Sequence, residues 1–327
     1  MAKQQRFDPK TIPARGPASR KSGRPGGRPP GAPKVRKATA GDWVAGARLR
    51  TLPLAIAPVL LGTATAYVIG DGAFHWVRAL LCLAVALGLQ IGVNYANDYS
   101  DGIRGTDDVR LGPARLTGSG AARPRTVLIV ALVFFGLSAA AGLLVVVLSG
   151  QYLLLAVGAV CVVAAWFYTG GKRPYGYFGL GELFVFVFFG LVATAGTTFV
   201  QVKTVDLDTW LAGVAIGLIA CAVLMVNNIR DREQDALAGK RTLAVLIGDR
   251  PARIAFALLL AAPFVILGYF VVLYINAGYT YFALLAAVPA IVITLTAKTS
   301  AELIIALRLT SLTSLGFAVL LSFAIAF

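Results

Sequence analysis

The chain contains a succession of apolar runs, each about as long as a helix needs to be to cross a bilayer. Roughly 20 apolar residues span the hydrocarbon core, and a large soluble helical protein would instead show polar faces at helical spacing. Only 14% of the residues are charged and the mean hydropathy is +0.77, which indicates an all-α polytopic membrane protein. Nine spans are predicted, at 51–69, 77–97, 126–149, 151–169, 179–200, 209–229, 252–275, 278–297 and 302–326.

The cysteines and the single histidine do not suggest a metal or disulfide site. Cys82, Cys161 and Cys221 lie in three different predicted spans, where cysteine is a small apolar residue. His75 lies in a short connection away from the acidic residues. Zinc chemistry and histidine-based catalysis are therefore not expected.

The N-terminal segment differs from the rest of the chain. Residues 1–50 carry 13 Lys or Arg against Asp8 and Asp42, and they are rich in Pro and Gly. Almost no large apolar residue precedes Trp43, so 1–42 is predicted to be a disordered basic tail and 43–327 the transmembrane domain. A polybasic segment beside a membrane attracts anionic lipid, and this role is favoured over nucleic-acid binding.

Positive charge is concentrated on alternate connections between the spans. The connections at 98–125, 170–178 and 230–253 carry many Lys and Arg residues, whereas the intervening connections contain only Lys203. Cytoplasmic loops carry the excess of positive charge. The N-terminus and these three connections are therefore predicted to be cytoplasmic.

Two acidic clusters follow the second and sixth spans. Four of the 15 acidic residues lie in NYANDYSDGIRGTDD, residues 94–108. In each cluster an Asn precedes an Asp by four residues: Asn97 and Asp101 in the first, and Asn227, Asp231 and Asp235, again spaced by four, in the second. Residues at i and i+4 share one helix face, so each cluster can direct its oxygens to one point. Asn94 extends the first face.

The residue types in the clusters suit a particular ligand. Carboxylate and carboxamide oxygens are hard ligands for Mg²⁺, which commonly shares its coordination with phosphate oxygens. Arg104, Lys240 and Arg241 lie nearby and suit the remaining phosphate charge. The pattern predicts a diphosphate held by Mg²⁺. Alternatively, the acids are solvated or paired with adjacent basic residues, as in RDRE at 230–233; two matching clusters argue against this alternative.

Both clusters also carry a family resemblance. NYANDYSDGIRGTDD together with NNIRDREQDALAGKRTLAVLIG (227–248) resembles the paired Asp-rich motifs of the UbiA-type intramembrane prenyltransferase superfamily. ARLRTLPLAIAPVLLGTA, LTGSG and YTGGKRPYGYFGLGELFVFVFFG occur in the family's order and resemble its menaquinone-pathway branch, which prenylates 1,4-dihydroxy-2-naphthoate. The resemblance covers about 43–327. It implies a bundle of about nine helices around a central cavity, with cytoplasmic motif loops, in a bacterial cell membrane.

The resemblance implies roles for individual residues. Asp107 replaces the acid that simpler family members carry where Gly105 stands here, and Tyr168 and Lys172 match positions that face the diphosphate. The implied metal ligands are Asn97, Asp101, Asp107, Asn227, Asp231 and Asp235. The implied substrate contacts are Arg48, Asn94, Asn97, Arg104, Lys172, Asn227, Lys240 and Arg241. The implied catalytic residues are Asp98, Asp101, Tyr168 and Asp231.

The implied reaction is Mg²⁺-dependent transfer of a polyprenyl group from polyprenyl diphosphate to 1,4-dihydroxy-2-naphthoate, with loss of CO₂ and diphosphate, giving demethylmenaquinol. Tyr168 could hydrogen-bond the leaving group or stabilise the allylic cation through its ring. Arg48 matches a basic residue at the family's cavity entrance and could bind the acceptor carboxylate. Asp98 could deprotonate the acceptor hydroxyl or simply be solvated. Glu182 resembles a family acid of less clear role.

The sequence also leaves room for different acceptors and for a different class of protein. Within the superfamily, the acceptor could be 4-hydroxybenzoate, haem or a lipid-linked sugar. Acids in membrane segments often mark ion paths, which raises the alternative of a cation transporter; these acids, however, lie at span ends beside many cations. Lys172 and Arg173 could be simple topology anchors, and this role is favoured for Arg115, Arg123 and Arg125.

Overall fold

The computed structural model describes residues 36–105 and 115–327, and the regular elements in these ranges are all helical. Within them, seven helices are long and apolar enough to cross a membrane, and the bent pair Ala40–Thr51 with Pro53–Ile69 makes an eighth if it is one span. Leu154–Phe167 is also apolar but has 14 residues, about 21 Å of helix. Each of the nine predicted runs coincides with an apolar helix, and the count of nine is approximate because of this short one.

The α-helices of the described ranges are numbered in chain order. They are α1 (Ala40–Gly46), α2 (Pro53–Ile69), α3 (Trp76–Arg104), α4 (Pro124–Ser149), α5 (Leu154–Phe167), α6 (Gly181–Val185), α7 (Ala193–Val202), α8 (Leu207–Leu237), α9 (Leu243–Ile247), α10 (Asp249–Leu273), α11 (Leu284–Thr296) and α12 (Ser300–Ala326). Three 3₁₀ turns, Leu49–Thr51, Tyr175–Tyr177 and Ala277–Ala283, and a π-helical segment, Phe186–Val192, lie between them.

Residues 36–42, which the sequence assigns to the basic tail, are folded. Thr39 caps α1 in a capping box with Asp42, and Arg36 forms an ion pair with Asp42 at 2.9 Å. The backbone N–H of Ala38 donates to the carbonyl of Ala121. The predicted boundary at 42 is therefore too late in the chain. The tail prediction for 1–35 falls outside the described residues.

Helix α8 lies at the centre of the bundle. Of its apolar stretch, 72% is buried, against 17% for α3. It contacts α10 and α12, whose Phe256, Phe270 and Phe317 are fully enclosed in the same apolar core. This packing fixes the helix that carries the second Asn–Asp cluster.

The π-helical segment Phe186–Val192 meets α8 at a contact between glycines. A Cβ atom at Gly190 would lie 2.7 Å from the carbonyl oxygen of Gly213 and 2.7 Å from the Cα atom of Gly217. Small residues allow helix backbones to approach closely in lipid. Single π-helical turns often occur near functional sites, and Phe188 of this segment lines a cavity of about 670 Å³ inside the bundle.

Candidate active site

A cavity of about 670 Å³ lies among α2, α3, α4, α5, α8 and the α6–α7 region. Its apolar wall includes Val146, Val157 and Phe188. Its principal polar side chains are Arg48, Asn94, Asn97, Tyr168 and Asn227. An apolar cavity with a few convergent polar groups suits an amphiphilic ligand with one charged end.

The first cluster is held by the connection between α5 and α6. The hydroxyl of Tyr177 donates to Oδ1 of Asp101 at 2.7 Å, and the hydroxyl of Thr169 donates to Oδ1 of Asn97 at 2.5 Å. Nη1 of Arg115 lies 3.5 Å from Oδ2 of Asp101. Asp101 is 3% exposed, so its carboxylate is oriented by fixed partners rather than by water.

The structure brings the second cluster to the same place. Nζ of Lys240 lies 3.7 Å from Oδ1 of Asp235 and 5.1 Å from the ring centre of Tyr177, whose hydroxyl binds Asp101. Asp101 and Asp231 both lie within electrostatic range of Asp235. The two clusters therefore face each other across one polar centre.

Asp231 is bound by the residue that precedes it. Nε and Nη2 of Arg230 donate to its two carboxylate oxygens, each at 2.7 Å. Both residues are buried, and a two-point guanidinium–carboxylate pair is a strong, directional interaction. The pairing of acids with adjacent basic residues, which the sequence leaves open, is therefore present at this position. A cation here would share the Asp231 carboxylate with Arg230.

Asp98 and Asn94 hold the backbone of neighbouring segments. The Asp98 carboxylate accepts hydrogen bonds from the N–H groups of Leu116 at 2.9 Å and Thr117 at 2.8 Å. Nδ2 of Asn94 donates to the carbonyl of Ala47 at 3.0 Å. Because both oxygens of Asp98 already accept a hydrogen bond, this geometry favours an anchoring role over deprotonation of an acceptor.

Arg48 combines an unusual backbone with a buried charge. Its φ is 54° and its ψ is 58°, the left-handed region that non-glycine residues seldom occupy, and such strain is often found at functional sites. Its side chain lines the cavity. Its Nη2 is buried and finds no hydrogen-bond acceptor within 36–105 and 115–327. Arg48 can therefore accept an anionic partner.

Three aromatic rings in mutual contact, those of Tyr168, Tyr175 and Phe184, line the cavity. Tyr168 and Tyr175 meet edge to face with centroids 5.5 Å apart, and Tyr175 stacks on Phe184 at 3.9 Å. The Tyr175 hydroxyl donates to the carbonyl of Ala164 on α5 at 2.9 Å. Burial raises the pKa of Tyr175, because the phenolate would lose its hydration. Tyr175 thus joins α5 to α6 as a neutral donor.

Arg104 supports the connection that carries Tyr168. Its guanidinium donates to the carbonyl oxygens of Thr169 and Gly171 and lies 5.4 Å from the ring centre of Tyr177. Its present contacts are thus with the protein, and it acts on the polar centre by ordering this backbone.

Two further residues from the predicted site lie at its margin, and a third falls outside the described ranges. The side chains of Lys172 and Arg241 are exposed and do not line the cavity, although the backbone N–H of Arg241 donates to the carbonyl of Tyr177. Asp107 lies outside the described residues.

The sequence analysis misses Tyr177 and does not place Arg115 in the site. The topology-anchor role favoured for Arg115 stays a prediction, but its guanidinium lies beside Asp101. Tyr177 belongs to the stretch that carries the family resemblance, but no spacing rule marks it. Glu182, singled out as a family acid, is buried and accepts a hydrogen bond from Nδ2 of Asn228 at 2.9 Å, next to Asn227.

The donor set of the polar centre fits Mg²⁺ together with a ligand. Among the described residues, no three acidic, histidine or cysteine side chains converge closely enough to hold a cation alone. The carboxylates of Asp101, Asp231 and Asp235 and the amides of Asn97 and Asn227 are nevertheless the oxygen donors that Mg²⁺ prefers. Mg²⁺ usually takes one or two carboxylates and completes its shell with water or substrate phosphates.

Comparison with known proteins identifies the family. The UbiA prenyltransferase family matches residues 55–303. The chain belongs to this family. The UbiA-family chain is 52% identical over 243 residues to 1,4-dihydroxy-2-naphthoate octaprenyltransferase of Mycobacterium tuberculosis, covering 71% of this chain and 82% of that protein.

Solved structures share the fold of this UbiA-family chain. A UbiA homolog from Aeropyrum pernix K1 in its apo form superposes with a TM-score of 0.62 at 18% identity, over 83% of this chain and 96% of that one. A UbiA homolog from Archaeoglobus fulgidus bound to GPP and Mg²⁺ gives a TM-score of 0.58 at 17% identity, over 86% and 99%. The predicted helical membrane bundle of the UbiA family is confirmed.

Proposed function

We propose that this chain transfers a polyprenyl group from polyprenyl diphosphate to 1,4-dihydroxy-2-naphthoate, releasing diphosphate and CO₂ and giving demethylmenaquinol. The observation that carries the proposal is the cavity, which combines Asn97 and Asn227 from the two clusters with a long apolar wall. This division matches a donor with a diphosphate head and a hydrocarbon tail. The relative named 1,4-dihydroxy-2-naphthoate octaprenyltransferase supports the choice of acceptor.

We assign Mg²⁺ as the ion that accompanies the diphosphate. Bound Mg²⁺ would neutralise the negative charge that develops on the leaving diphosphate. The residues assigned to hold it are Asn97, Asp101, Asn227, Asp231 and Asp235, together with Asp107 from the connection after α3. The Archaeoglobus homolog bound to GPP and Mg²⁺ is a precedent within the same fold.

The cations beside the clusters are assigned to the phosphate oxygens. Lys240 and Arg115 lie within 3.7 Å of Asp235 and 3.5 Å of Asp101, respectively, so both border the space between the clusters. Arg104, Lys172 and Arg241 contribute at the rim, Arg104 by ordering the Thr169–Gly171 backbone. Preorganised cations of this kind stabilise the charge of the transition state without reorganisation.

The chemical steps then follow from the donor and acceptor. The bond between the allylic carbon and the diphosphate oxygen breaks, and its electron pair leaves with the diphosphate. Tyr168 can stabilise the allylic cation through its ring face. The ring carbon that bears the carboxylate attacks the cation, and CO₂ departs while its bonding pair restores the aromatic ring. Arg48 is assigned to the acceptor carboxylate, because its Nη2 has no other acceptor among the described residues.

We infer that this reaction takes place at the cytoplasmic side of a bacterial cell membrane, with the N-terminus in the cytoplasm. The motif-bearing connections are the ones rich in Lys and Arg, as cytoplasmic loops are. The basic tail would add attraction to anionic lipids, and no role in nucleic-acid binding is proposed.

A product assay tests the proposal. The purified full chain is incubated with polyprenyl diphosphate and Mg²⁺ in parallel reactions, each with one acceptor: 1,4-dihydroxy-2-naphthoate, 4-hydroxybenzoate, haem or a lipid-linked sugar. The products are identified by mass spectrometry. We expect a prenylated naphthalene that has lost CO₂. Conversion of a different acceptor alone would contradict the acceptor assignment. If no diphosphate is released with any of these acceptors, the result would contradict transferase activity and favour the alternative of a cation transporter.

A further inference from the structure

A second, polar groove lies where the end of α8 meets the start of α10 and the connection between α11 and α12. Its volume is about 160 Å³. We call it the α8–α12 groove. Its charged wall consists of four cations and two acids, namely Arg230, Arg232, Arg253, Lys298, Glu233 and Asp249, with Thr299 and Ser300 beside them.

Arg230 is the buried cation of this groove, and one of its donors has no acceptor. Its side chain is 2% exposed. Nε and Nη2 are used by Asp231, whereas Nη1 is buried and makes no hydrogen bond with any residue in 36–105 or 115–327. A buried donor on a charged group is costly to leave unpaired, so an oxygen ligand at this position would be favourable.

The other groove cations are unequally neutralised. Nε of Arg253 donates to Oδ2 of Asp249 at 2.9 Å, and its Nη1 donates to the carbonyl of Thr294. Arg232 lies 3.8 Å from Asp249 and from Glu233, too far for a hydrogen bond. Lys298 makes no close ion pair within the described ranges, but its charge acts on Glu302, which accepts a hydrogen bond from the backbone N–H of Lys298 at 2.6 Å. Arg232 and Lys298 are therefore the groove cations whose side chains make no hydrogen bond to a carboxylate of the described residues, and these two are available to a ligand.

We propose that the α8–α12 groove binds a phosphate-bearing anion through Nη1 of Arg230, Arg232 and Lys298. Guanidinium forks match tetrahedral oxyanions, and a lysine ammonium supplies a point charge to the same ligand. The phosphate belongs either to an anionic lipid headgroup, which the predicted cytoplasmic rim would meet, or to a free phosphate in solution.

Arg230 connects this groove to the polar centre. The Arg230 guanidinium, which lines the groove, also holds both oxygens of Asp231. An anion at Nη1 shares the charge of Arg230 and so weakens its hold on Asp231, which leaves that carboxylate a better cation ligand. This consequence rests on the proposed function, because it takes Asp231 as a metal ligand; binding of the anion does not.

Binding is tested with the full chain in two formats. Native mass spectrometry compares retention of phosphatidylglycerol and phosphatidylcholine, and calorimetry titrates inorganic phosphate into the chain in phosphatidylcholine nanodiscs. The variants are the double substitution Arg232→Ala/Lys298→Ala and, as a matched control, Arg250→Ala, which removes an exposed arginine near the groove but outside its wall. We expect binding to fall at least tenfold in the double variant and to be unchanged in the control.

The outcomes separate the two sources. Selective retention of phosphatidylglycerol without phosphate binding assigns the groove to a lipid headgroup, and saturable phosphate binding without lipid selectivity assigns it to a free anion. Either result supports the site. Failure to bind either probe, or an equal loss in Arg250→Ala, overturns it.

The coupling to Asp231 has its own readout. Mn²⁺ affinity, followed by electron paramagnetic resonance without prenyl donor, is compared between wild type and the double variant in the same nanodiscs with the groove ligand present. We expect the double variant to bind Mn²⁺ several-fold more weakly. Equal affinities would overturn the coupling while leaving the anion site intact. Absence of Mn²⁺ binding in both, with anion binding retained, would contradict the proposed metal site alone.

Discussion

At the residue scale, Asp98 and Asp101 are one turn apart on α3 and have different partners. Asp98 receives two backbone N–H groups from Leu116 and Thr117, whereas Asp101 receives a tyrosine hydroxyl and lies beside an arginine. A carboxylate that accepts backbone donors on both oxygens fixes chain geometry. A carboxylate held by side-chain donors and a nearby cation can exchange these partners for a metal–phosphate ligand.

Asp98→Asn tests this division. The carboxamide keeps one acceptor and places an NH₂ group against a backbone N–H, which costs about 1–3 kcal/mol for a buried group left unpaired. We expect a lower Tm and reduced turnover, with the pH dependence of kcat unchanged. The exposed Asp71→Asn is the control. A variant that keeps its Tm but loses the acidic limb of its pH profile would restore Asp98 as the base.

Asp231→Asn addresses the assigned metal ligand. An asparagine retains one acceptor for Arg230 but loses the negative charge, and metal-based charge stabilisation is worth several kcal/mol. At about 1.4 kcal/mol per tenfold in rate, we expect turnover to fall at least about 100-fold in a folded protein. Asp208→Asn, at the opposite end of α8 and bound by Tyr269, is the matched control. Near-normal turnover of Asp231→Asn would refute the assignment.

Tyr177 offers a finer test, because it acts on Asp101 without lining the cavity. Tyr177→Phe removes the hydroxyl that holds Oδ1 of Asp101 and keeps the ring beneath Lys240 and Arg104. Loss of a partner behind a metal ligand typically costs 10- to 100-fold in metal affinity or activity. We expect a higher Mg²⁺ requirement, with a further loss in Tyr177→Ala. Activity that is independent of the hydroxyl at limiting Mg²⁺ would contradict this role.

At the scale of elements, α3 and α8 carry the features that sequence could predict. Both are longer than a span requires, with 29 and 31 residues, so each extends its cluster beyond the apolar stretch. The i, i+4 spacing of Asn97 and Asp101 is a local property of a helix, and it can be read from one sequence. The apolar runs are likewise predictable from length and hydropathy.

The residues that sequence could not place lie in connections. Tyr177 reaches Asp101 across 76 positions of chain, and Arg115 reaches it from beyond the 106–114 segment. No local periodicity encodes such contacts, because they depend on how the connections fold over the helix ends. For the same reason the sequence favours a topology anchor at Arg115: it reveals the charge of this residue but not its partner.

The contact between the π-helical segment and α8 is testable at this scale. Gly190→Ala places a methyl group 2.7 Å from backbone atoms of α8, and forced overpacking costs about 1–3 kcal/mol. We expect a lower Tm in detergent. Gly268→Ala on α10, where a Cβ atom meets nothing within 4 Å, is the matched control and should leave Tm unchanged or raise it. Equal Tm values for the two variants would contradict the close packing.

At the scale of the whole molecule, the cavity divides a polar reaction from a hydrocarbon tail. Asn97, Asn227 and Tyr168 come from three different helices or their ends, and Val157 on α5 lies 11 residues before Tyr168. That separation is about 16 Å along a helix. A prenyl tail that starts near Tyr168 would reach Val157 only after several isoprene units, so chain length should be sensed there.

Val157→Trp tests where the tail lies. The indole would fill the apolar wall far from the polar end, and a clash worth about 1–3 kcal/mol corresponds to roughly 10- to 100-fold in affinity. We expect KM to rise by this factor for long polyprenyl diphosphates and to stay unchanged for geranyl diphosphate. Val160→Trp is the matched control, since Val160 is on the same helix, is 58% exposed and does not line the cavity. An unchanged KM for long donors would mean that the tail leaves the cavity before it reaches Val157, and an equal rise for short and long donors would contradict the sensing of chain length there.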